Sequence, residues 1–325
     1  MVSPTLLNLH AVDPDKNFIA RAAEVLRAGK LVAFPTETVY GLGGDATNEQ
    51  AVAAIFAAKG RPSFNPLIVH VADVLQLANY VELSPLAENL AEHFMPGALT
   101  LVLPRKKNAP LSWLVSAGMD TLAVRIPSHP VARALLREVN IPIAAPSANR
   151  SGSISATTPL HVLESLGDKV DLILGAGRSP IGIESTILDI TGAAPIILRQ
   201  GGVTQIELEN VIGKVVVFTG HSQTPTAPGQ LESHYAPNAT VRLNATTVNA
   251  SEALLAFGPD MGPKTYKTSL NLSERGDLHE AAANLFAMLR ELDKPDVKTI
   301  AVMPIPETGL GIAMNDRLRR AAAPR

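Results

Sequence analysis

The chain has 325 residues, with 28 lysines and arginines against 30 aspartates and glutamates, a formal net charge of −2 and no cysteine. This length predicts about two domains. The slight acidic balance argues against strong binding of nucleic acid, because surfaces that bind it carry a basic excess. The lack of cysteine excludes disulfides and thiolate zinc sites. We find no secretory signal and no apolar run of about 18 residues, which predicts a cytoplasmic protein without a membrane span.

Strand-like and helical patterns alternate over about the first 210 residues, which predicts an α/β domain with a mixed sheet. Hydrophobic residues make up 46% of the chain and aromatic residues only 4%, a composition typical of α/β layers. Helices are predicted at residues 17–28, 48–58, 131–139 and 158–166, the last with Thr158 as N-cap and Pro159 in the first turn. Strands are predicted at residues 30–34, 67–71, 99–103, 122–126, 141–145, 172–174, 187–190 and 196–198.

The composition changes after a short apolar run at residues 215–218. Residues 219–238 are rich in Pro, Gly, Ser, Thr and Gln, which is typical of a linker. We therefore expect three parts, namely a larger α/β domain (1–210), a linker that acts as a lid (211–239) and a small α/β domain (240–325). In the last part, strands are predicted at 241–243, 254–257 and 299–303, and a helix at 277–292 with a capping box of Asp277 and Glu280. The basic tail from Arg317 onward is predicted to be frayed.

A glycine-rich segment at residues 41–46 matches the dinucleotide pattern G-x-G-x-x-A. The match is weak because six residues separate it from the preceding strand, so we favour a flexible turn over a nicotinamide site. No Walker loop is present. The preceding loop carries Thr36 and Thr38, whose hydroxyls either end a strand or line a pocket, and the sequence favours neither reading strongly.

Four basic residues, Lys59, Arg61, Arg125 and Arg199, lie next to or inside apolar segments, where a charged side chain needs a partner. Lys59 and Arg61 follow a predicted helix, where the helix dipole alone would account for them, but a constrained loop leads from them straight into a buried strand. Arg125 lies inside an apolar strand and requires an anion, which could be an internal carboxylate or a substrate carboxylate. Arg199 ends another apolar strand.

Hydroxyl and amide side chains follow a buried strand at residues 147–155, the position where α/β sheets place ligands. A solvated loop is the alternative, and the nearby cations favour a site. Such a set suits a polyphosphate and the small nucleophile that attacks it. His70 lies alone in a strand without a neighbouring histidine, which argues against a metal site. No Ser-His-Asp triad is evident.

Several motifs, in order along residues 15–205, resemble the threonylcarbamoyl-AMP synthase family with its YrdC-like fold. They are FPTETVYGLG (34–43), KGRP (59–62), NPLIVHV (65–71), PGALT (96–100), AVRIP (123–127), PIAAPSAN (142–149) and EST (184–186). The linker runs APG (227–229) and HYAP (234–237) are similar to those of the long form, whose C-terminal domain is Rossmann-like.

The resemblance implies an enzyme that converts L-threonine, bicarbonate and ATP to L-threonylcarbamoyl-AMP and pyrophosphate, the first step of the threonylcarbamoyladenosine modification of tRNA. It implies Mg²⁺ with ATP, no protein-held metal, and a downstream transfer complex as partner. It implies threonine contacts from Thr38, His70, Arg125, Ala145 and Ser185. It implies ATP contacts from Lys59, Arg61, Asn65, Thr121, Ser147, Asn149, Ser155 and Arg199, with Tyr235 folding over the nucleotide from the linker. No general base is identified.

Two other functions remain open from the sequence. An RNA-binding accessory protein of the same fold is disfavoured by the net charge of −2. Carbamoyl transfer in hydrogenase maturation is disfavoured because the zinc-finger modules that accompany it need cysteine.

Overall fold

A computed structural model describes residues 4–219, 226–229, 233–259 and 266–324. The first part of the chain forms β1 (Thr5–Asn8), α1 (Lys16–Arg27), β2 (Val32–Phe34), β3 (Gly41–Asp45), α2 (Glu49–Lys59), β4 (Ile68–His70), α3 (Val74–Leu77), α4 (Pro85–Phe94), β5 (Leu99–Pro104), β6 (Thr121–Arg125), α5 (Pro130–Val139), β7 (Ile143–Ala144), α6 (Pro159–Leu166), β8 (Leu172–Gly175), β9 (Thr186–Asp189), β10 (Ile196–Arg199), α7 (Gln205–Ile212) and β11 (Val216–Val217). The rest forms β12 (Thr240–Arg242), β13 (Ala253–Ala256), β14 (Thr268–Asn271), α8 (Leu278–Leu292), β15 (Thr299–Val302) and α9 (Leu310–Ala322).

The first eleven strands form one sheet in the order β1-β8-β2-β3-β7-β4-β6-β5-β9-β10-β11. Both parallel and antiparallel pairs occur, such as β4 with β6 and β2 with β3. Successive residues of β2 point to opposite faces, and Phe34 packs with α1 and α5 while Ala33 packs with α2 and α4. The mixed sheet covered by helices that the sequence predicts is thus confirmed.

The predicted helices of this part begin and end within about a residue of their expected bounds. Asn48 caps α2 by accepting from the backbone N–H of Gln50 and Ala51, and Gly60 ends this helix in the left-handed conformation (φ 61°). Thr158 caps α6, and Pro159 occupies its first turn as predicted.

The glycine-rich segment is a central strand, so its prediction as a flexible turn is wrong. Residues 41–45 form β3, which pairs with β2 and β7. A Cβ at Gly43 would lie 2.8 Å from the ring of Phe34, and one at Gly44 would lie 3.1 Å from Ile55. The glycines therefore allow close packing on both faces of the sheet. In the sequence, a glycine-rich run that forms such a strand cannot be distinguished from one that forms a turn.

The C-terminal domain is a parallel four-stranded sheet in the order β12-β15-β13-β14 with helices α8 and α9, in agreement with a Rossmann-like domain. Asp277 caps α8 by accepting from the N–H of His279 and Glu280. The reciprocal half of the predicted capping box is absent among the described contacts, because the Glu280 carboxylate accepts from Ser273 Oγ instead (2.7 Å).

The basic tail continues a helix, and its predicted fraying is wrong for residues 317–322. Helix α9 continues to Ala322, and Arg317 is only 1% exposed. Leu310, Ala313, Met314 and Leu318 pack into the same apolar cluster as Val39, Ile154 and Ile183 of the large domain. This shared cluster fixes the two domains against each other. In the part of the chain that the structure describes, no helix has the length and apolar character to cross a bilayer.

Candidate active site

A cavity of about 50 Å³ lies between the large domain and the linker residues that return toward the C-terminal domain. Most of the predicted site residues line it, namely Thr38, Lys59, Arg61, His70, Arg125, Ala145, Ser147, Asn149, Ser185, Arg199 and Tyr235. The other three do not line it: Asn65 and Ser155 bond to residues that do, as described below, and Thr121 lies at the amino end of β6. Motifs scattered over 200 residues therefore converge on one cavity.

The loop between β2 and β3 uses its hydroxyls both to hold its shape and to line the cavity. Thr36 Oγ1 donates to the carbonyl of Val39 (2.6 Å) and lies 2.8 Å from Thr38 Oγ1. Both side chains line the cavity and are buried. The hydroxyls of Thr36 and Thr38 therefore have both roles that the sequence left open, since they follow the end of a strand and also line a pocket.

Arg125 is held by an internal carboxylate. Its Nη2 lies 2.6 Å from Glu37 Oε1, its Nη1 donates to Thr38 Oγ1 (2.9 Å), and its Nε donates to the carbonyl of Gly97 (3.1 Å). Burial would raise the pKa of Glu37, but the guanidinium of Arg125 and the N–H of Ser128 lower it below its ordinary value. Glu37 is therefore a buried anion at neutral pH, a partner that the sequence did not single out.

Lys59 connects the KGRP motif to the loop after β7. Its Nζ donates to the backbone carbonyls of Ser147 and Asn149, at 2.5 Å each. Burial and the neighbouring charge of Arg61 hold the pKa of Lys59 well below its ordinary value. Lys59 does end α2, as the helix-dipole explanation requires, but its ammonium turns inward to the cavity wall.

Arg61 and Arg199 are each held by neutral oxygens. Arg61 donates to the carbonyls of Asn65 (3.0 Å) and Pro66 (2.7 Å) and to Asn65 Oδ1 (2.6 Å). Arg199 donates to the carbonyl of Ser185 at 3.1 and 2.9 Å and to that of Pro228 at 3.3 Å. Burial, followed by the charge of Arg199, lowers the pKa of Arg61 to about 9. Asn65 thus contributes to the site through Arg61.

The cavity carries an excess of positive charge. Among the described residues, Lys59, Arg61 and Arg199 have no carboxylate in hydrogen-bonding contact, and Glu184 supplies the one carboxylate that lines the cavity. Glu184 is itself bonded to Ser155 Oγ (2.5 Å) and to Arg317 Nε (2.8 Å). Buried cations with only neutral partners are suited to bind an anion.

His70 is a neutral base at the opposite end of β4 from the Asn65 loop. Burial, followed by the charge of Arg125, lowers the pKa of His70 to about 3. Its Nδ1 lies 3.2 Å from the carbonyl of Ile68, a contact that favours the tautomer with the proton on Nδ1 and with Nε2 as the acceptor. Within the described ranges, no three His, Asp or Glu side chains are grouped closely enough to hold a metal ion.

Linker residues close the cavity. The Tyr235 ring is 1% exposed, stacks on Phe286 of α8 (5.5 Å between centroids, 24° between planes) and meets His234 edge-on at 4.0 Å. A Cβ at Gly229 would lie 2.9 Å from both Arg199 Cδ and Tyr235 Oη, so only glycine fits there. Residues 220–225 and 230–232 of the predicted lid lie outside the described residues.

Besides Glu37, sequence reasoning missed three charged or polar groups at or beside this site, namely Glu184, His234 and Arg317. Glu184 and His234 stand inside motifs noted above, and their placement between cations needed the three-dimensional structure. Nothing in the local sequence distinguishes Arg317 from the other arginines of the tail.

Fold and site together are typical of an α/β enzyme with a cationic cavity suited to an anionic ligand, closed by residues of the linker. Two family models match the chain, one described as "Telomere recombination" over residues 24–201 and one as "Threonylcarbamoyl-AMP synthase, C-terminal domain" over residues 203–323. The chain therefore belongs to the threonylcarbamoyl-AMP synthase family, whose members are nucleotidyltransferases.

Individual relatives match over nearly their whole length. The chain is 42% identical to the threonylcarbamoyl-AMP synthase of Bacillus subtilis, over 94% of this chain and 93% of the relative. It is 42% identical to that of Pyrococcus abyssi over 93% of each. Among solved structures, P. abyssi Sua5 complexed with L-threonine superposes with a TM-score of 0.90 at 38% identity, over 98% of this chain and 97% of that one.

Proposed function

We propose that this cavity is where the chain converts L-threonine, bicarbonate and ATP to L-threonylcarbamoyl-AMP and pyrophosphate. The observation that carries the proposal is the convergence of three cations, with no carboxylate partner among the described residues, on a cavity that also holds the Thr38, His70 and Arg125 side chains. The first group suits a triphosphate and the second an amino acid. The names of the relatives, and L-threonine in the solved P. abyssi complex, support the choice of substrates.

The threonine end is assigned to Thr38, His70, Arg125, Ala145 and Ser185. Arg125 uses three of its five N–H donors on described groups, which leaves two that can bind the substrate carboxylate. The neutral His70 offers Nε2 as an acceptor for the threonine hydroxyl or amine. Glu37 keeps Arg125 in place without supplying a group to the substrate.

The nucleotide end is assigned to Lys59, Arg61, Ser147, Asn149, Arg199 and Tyr235. Asn65 acts through Arg61, and Ser155 through Glu184. Asn149 Oδ1 is buried without a hydrogen-bond partner among the described residues and is an acceptor for an N–H of the ligand. Thr121 lies away from the cavity and stays a prediction.

The reaction needs positioning and charge stabilisation more than covalent help. The threonine amine forms a bond to the bicarbonate carbon with loss of water, and an oxygen of the resulting carbamate then attacks the α-phosphorus as pyrophosphate leaves. Lys59, Arg61 and Arg199 stabilise the charge that develops on the phosphates. Mg²⁺ enters as Mg·ATP, because Glu184, the one carboxylate among the described residues of the cavity wall, is already bonded to Ser155 and Arg317.

The cavity is too small for these substrates in its closed form. Pockets that hold molecules of this size measure roughly 300–1,000 Å³, against about 50 Å³ here. We infer that the segment around Gly229 and Tyr235 moves aside to admit ATP and then closes over it. This supports the division of the chain into a catalytic domain (1–210), a linker that acts as a lid (211–239) and a small C-terminal domain (240–325).

The product is a mixed anhydride that must be handed on, and we propose a downstream transfer complex acting on tRNA in the cytoplasm as its recipient. The test of the proposed reaction is pyrophosphate release with each substrate omitted in turn. We expect release only when ATP, L-threonine and bicarbonate are all present. Threonine-independent release would contradict the proposal, and salt-sensitive binding of tRNA by the isolated chain without turnover would favour the RNA-binding alternative.

A further inference from the structure

Helix α9 of the C-terminal domain directs a fully buried charged side chain, that of Arg317, toward the catalytic domain. Arg317 donates from Nε to Glu184 Oε2 (2.8 Å), from Nη2 to the carbonyl of Gln200 (2.8 Å) and from Nη1 to Asp316 (2.8 Å). It does not line the cavity. A buried arginine on the far domain with three directed contacts is positioned to act on the site through another residue.

The residue it acts on is Glu184, the carboxylate of the cavity wall. Burial would raise the pKa of Glu184, but Arg317, followed by Arg199, lowers it below its ordinary value, so Glu184 is an anion at neutral pH. Such an anion beside the site would repel a triphosphate and compete for the cations that are to bind it. Lys59 and Arg199 both feel its charge.

Arg317 also contacts the lid. Its guanidinium carbon lies 5.2 Å from the centre of the Tyr235 ring, a cation–π distance, and Tyr235 stacks on Phe286 of the same domain. The one side chain thus contacts both the carboxylate of the cavity wall and the aromatic ring that closes the cavity.

We propose that Arg317 is a positioning residue for the nucleotide: it pairs with Glu184, so that Lys59 and Arg199 are left for the phosphates, and it supports Tyr235 in the closed position. The C-terminal domain thereby completes the nucleotide site without touching the substrate. The inference rests on the proposed function for the identity of the ligand, ATP. The experiment below measures ATP binding and turnover separately.

The experiment compares Arg317→Met with Arg319→Met in the full-length chain. Arg319 lies on the same helix, but its ion pair with Glu307 is more than half exposed (54% and 59%). ATP affinity is measured by titration calorimetry, and KM and kcat by pyrophosphate release. We expect Arg317→Met to raise the Kd and KM for ATP about tenfold or more, equivalent to the loss of one charge-assisted interaction, with a smaller change in the KM for L-threonine. Arg319→Met should match the wild type.

A second variant separates charge pairing from simple packing. The double variant Glu184→Gln/Arg317→Met replaces the buried carboxylate by a neutral amide as well. Its ATP affinity should therefore return most of the way from that of Arg317→Met to that of the wild type. A purely structural role for Arg317 predicts no recovery, which would overturn the proposal, as would equal ATP affinities for Arg317→Met and Arg319→Met.

If Arg317→Met does not fold, as judged by circular dichroism, the comparison passes to Arg317→Lys and Arg319→Lys. Lysine keeps the charge but loses the planar fork, so the first should weaken ATP binding about threefold and the second not at all; equal affinities would overturn the proposal. Failure of the proposed reaction would show as absent turnover in the wild type, while the ATP affinities would still decide the role of Arg317.

Discussion

The buried ion pair between Arg125 and Glu37 allows a quantitative test of how the threonine end of the site is built. Both side chains are almost fully buried, and the Glu37 carboxylate also accepts from the N–H groups of Ser128 (3.0 Å) and His129 (3.4 Å). Glu37→Gln keeps the shape but leaves the Arg125 charge unpaired. Breaking a buried pair from one side costs roughly 3–5 kcal/mol. The glutamine oxygen still accepts one hydrogen bond, so we expect the lower end, about 3 kcal/mol.

The measurement is the free energy of unfolding from urea titration, with Glu307→Gln as the matched control. Glu307 also pairs with an arginine at 2.8 Å, but that pair is more than half exposed, and its loss should cost at most about 1 kcal/mol. The double variant Glu37→Gln/Arg125→Met should be more stable than Glu37→Gln alone, because it removes the unpaired charge. Equal losses for Glu37→Gln and Glu307→Gln would refute the reasoning.

Three further predictions concern the nucleotide, the lid and pH. Arg61→Gln should raise the KM for ATP about 10- to 100-fold, the loss of a charged hydrogen-bond donor, with little change for L-threonine; an unchanged KM for ATP in the pyrophosphate assay would contradict the assignment. Tyr235→Ala should weaken ATP binding about tenfold or more because the ring stacked on Phe286 is lost, whereas Tyr235→Phe, which keeps the ring, should bind normally; normal binding by both would exclude the lid. His70 has its pKa depressed from 6.5 to about 3, so between these values the unfolded chain binds a proton that the folded chain does not. The stability from neutral His70 is therefore complete above pH 6.5 and lost as the pH falls toward 3. Between pH 7 and pH 4 the unfolding free energy of His70→Gln should therefore fall by about 3 kcal/mol less than that of the wild type. If the unfolding free energies of the wild type and the variant depend on pH in parallel, the result would count against this prediction.

Local signals in the sequence predicted most helices and strands of the large domain. The side-chain caps Asn48 and Thr158 mark the starts of α2 and α6, and the apolar runs mark β4, β5 and β6. The segment at 41–45 was missed because its glycines are required by packing against Phe34 and Ile55, which lie on other elements of the fold. Local composition cannot report such a contact.

The candidate site shows the same limit. Motifs identify which residues belong together, since eleven predicted residues line one cavity, but they do not show how the charges are compensated. Arg125 could have met an internal or a substrate anion, and only the fold brings Glu37 to it. The tail around Arg317 has the composition of a frayed end, and burial against the large domain overrides that preference.

The most direct measurement is mass spectrometry of the nucleotide formed from ATP, L-threonine and ¹³C-bicarbonate. If Lys59, Arg61 and Arg199 hold the triphosphate beside the threonine bound near Arg125, one labelled carbon, one threonine and one AMP must be joined in a single product, with one pyrophosphate released for each. An unlabelled adenylate of threonine, or AMP formed without incorporation of the label, would contradict this account of the cavity.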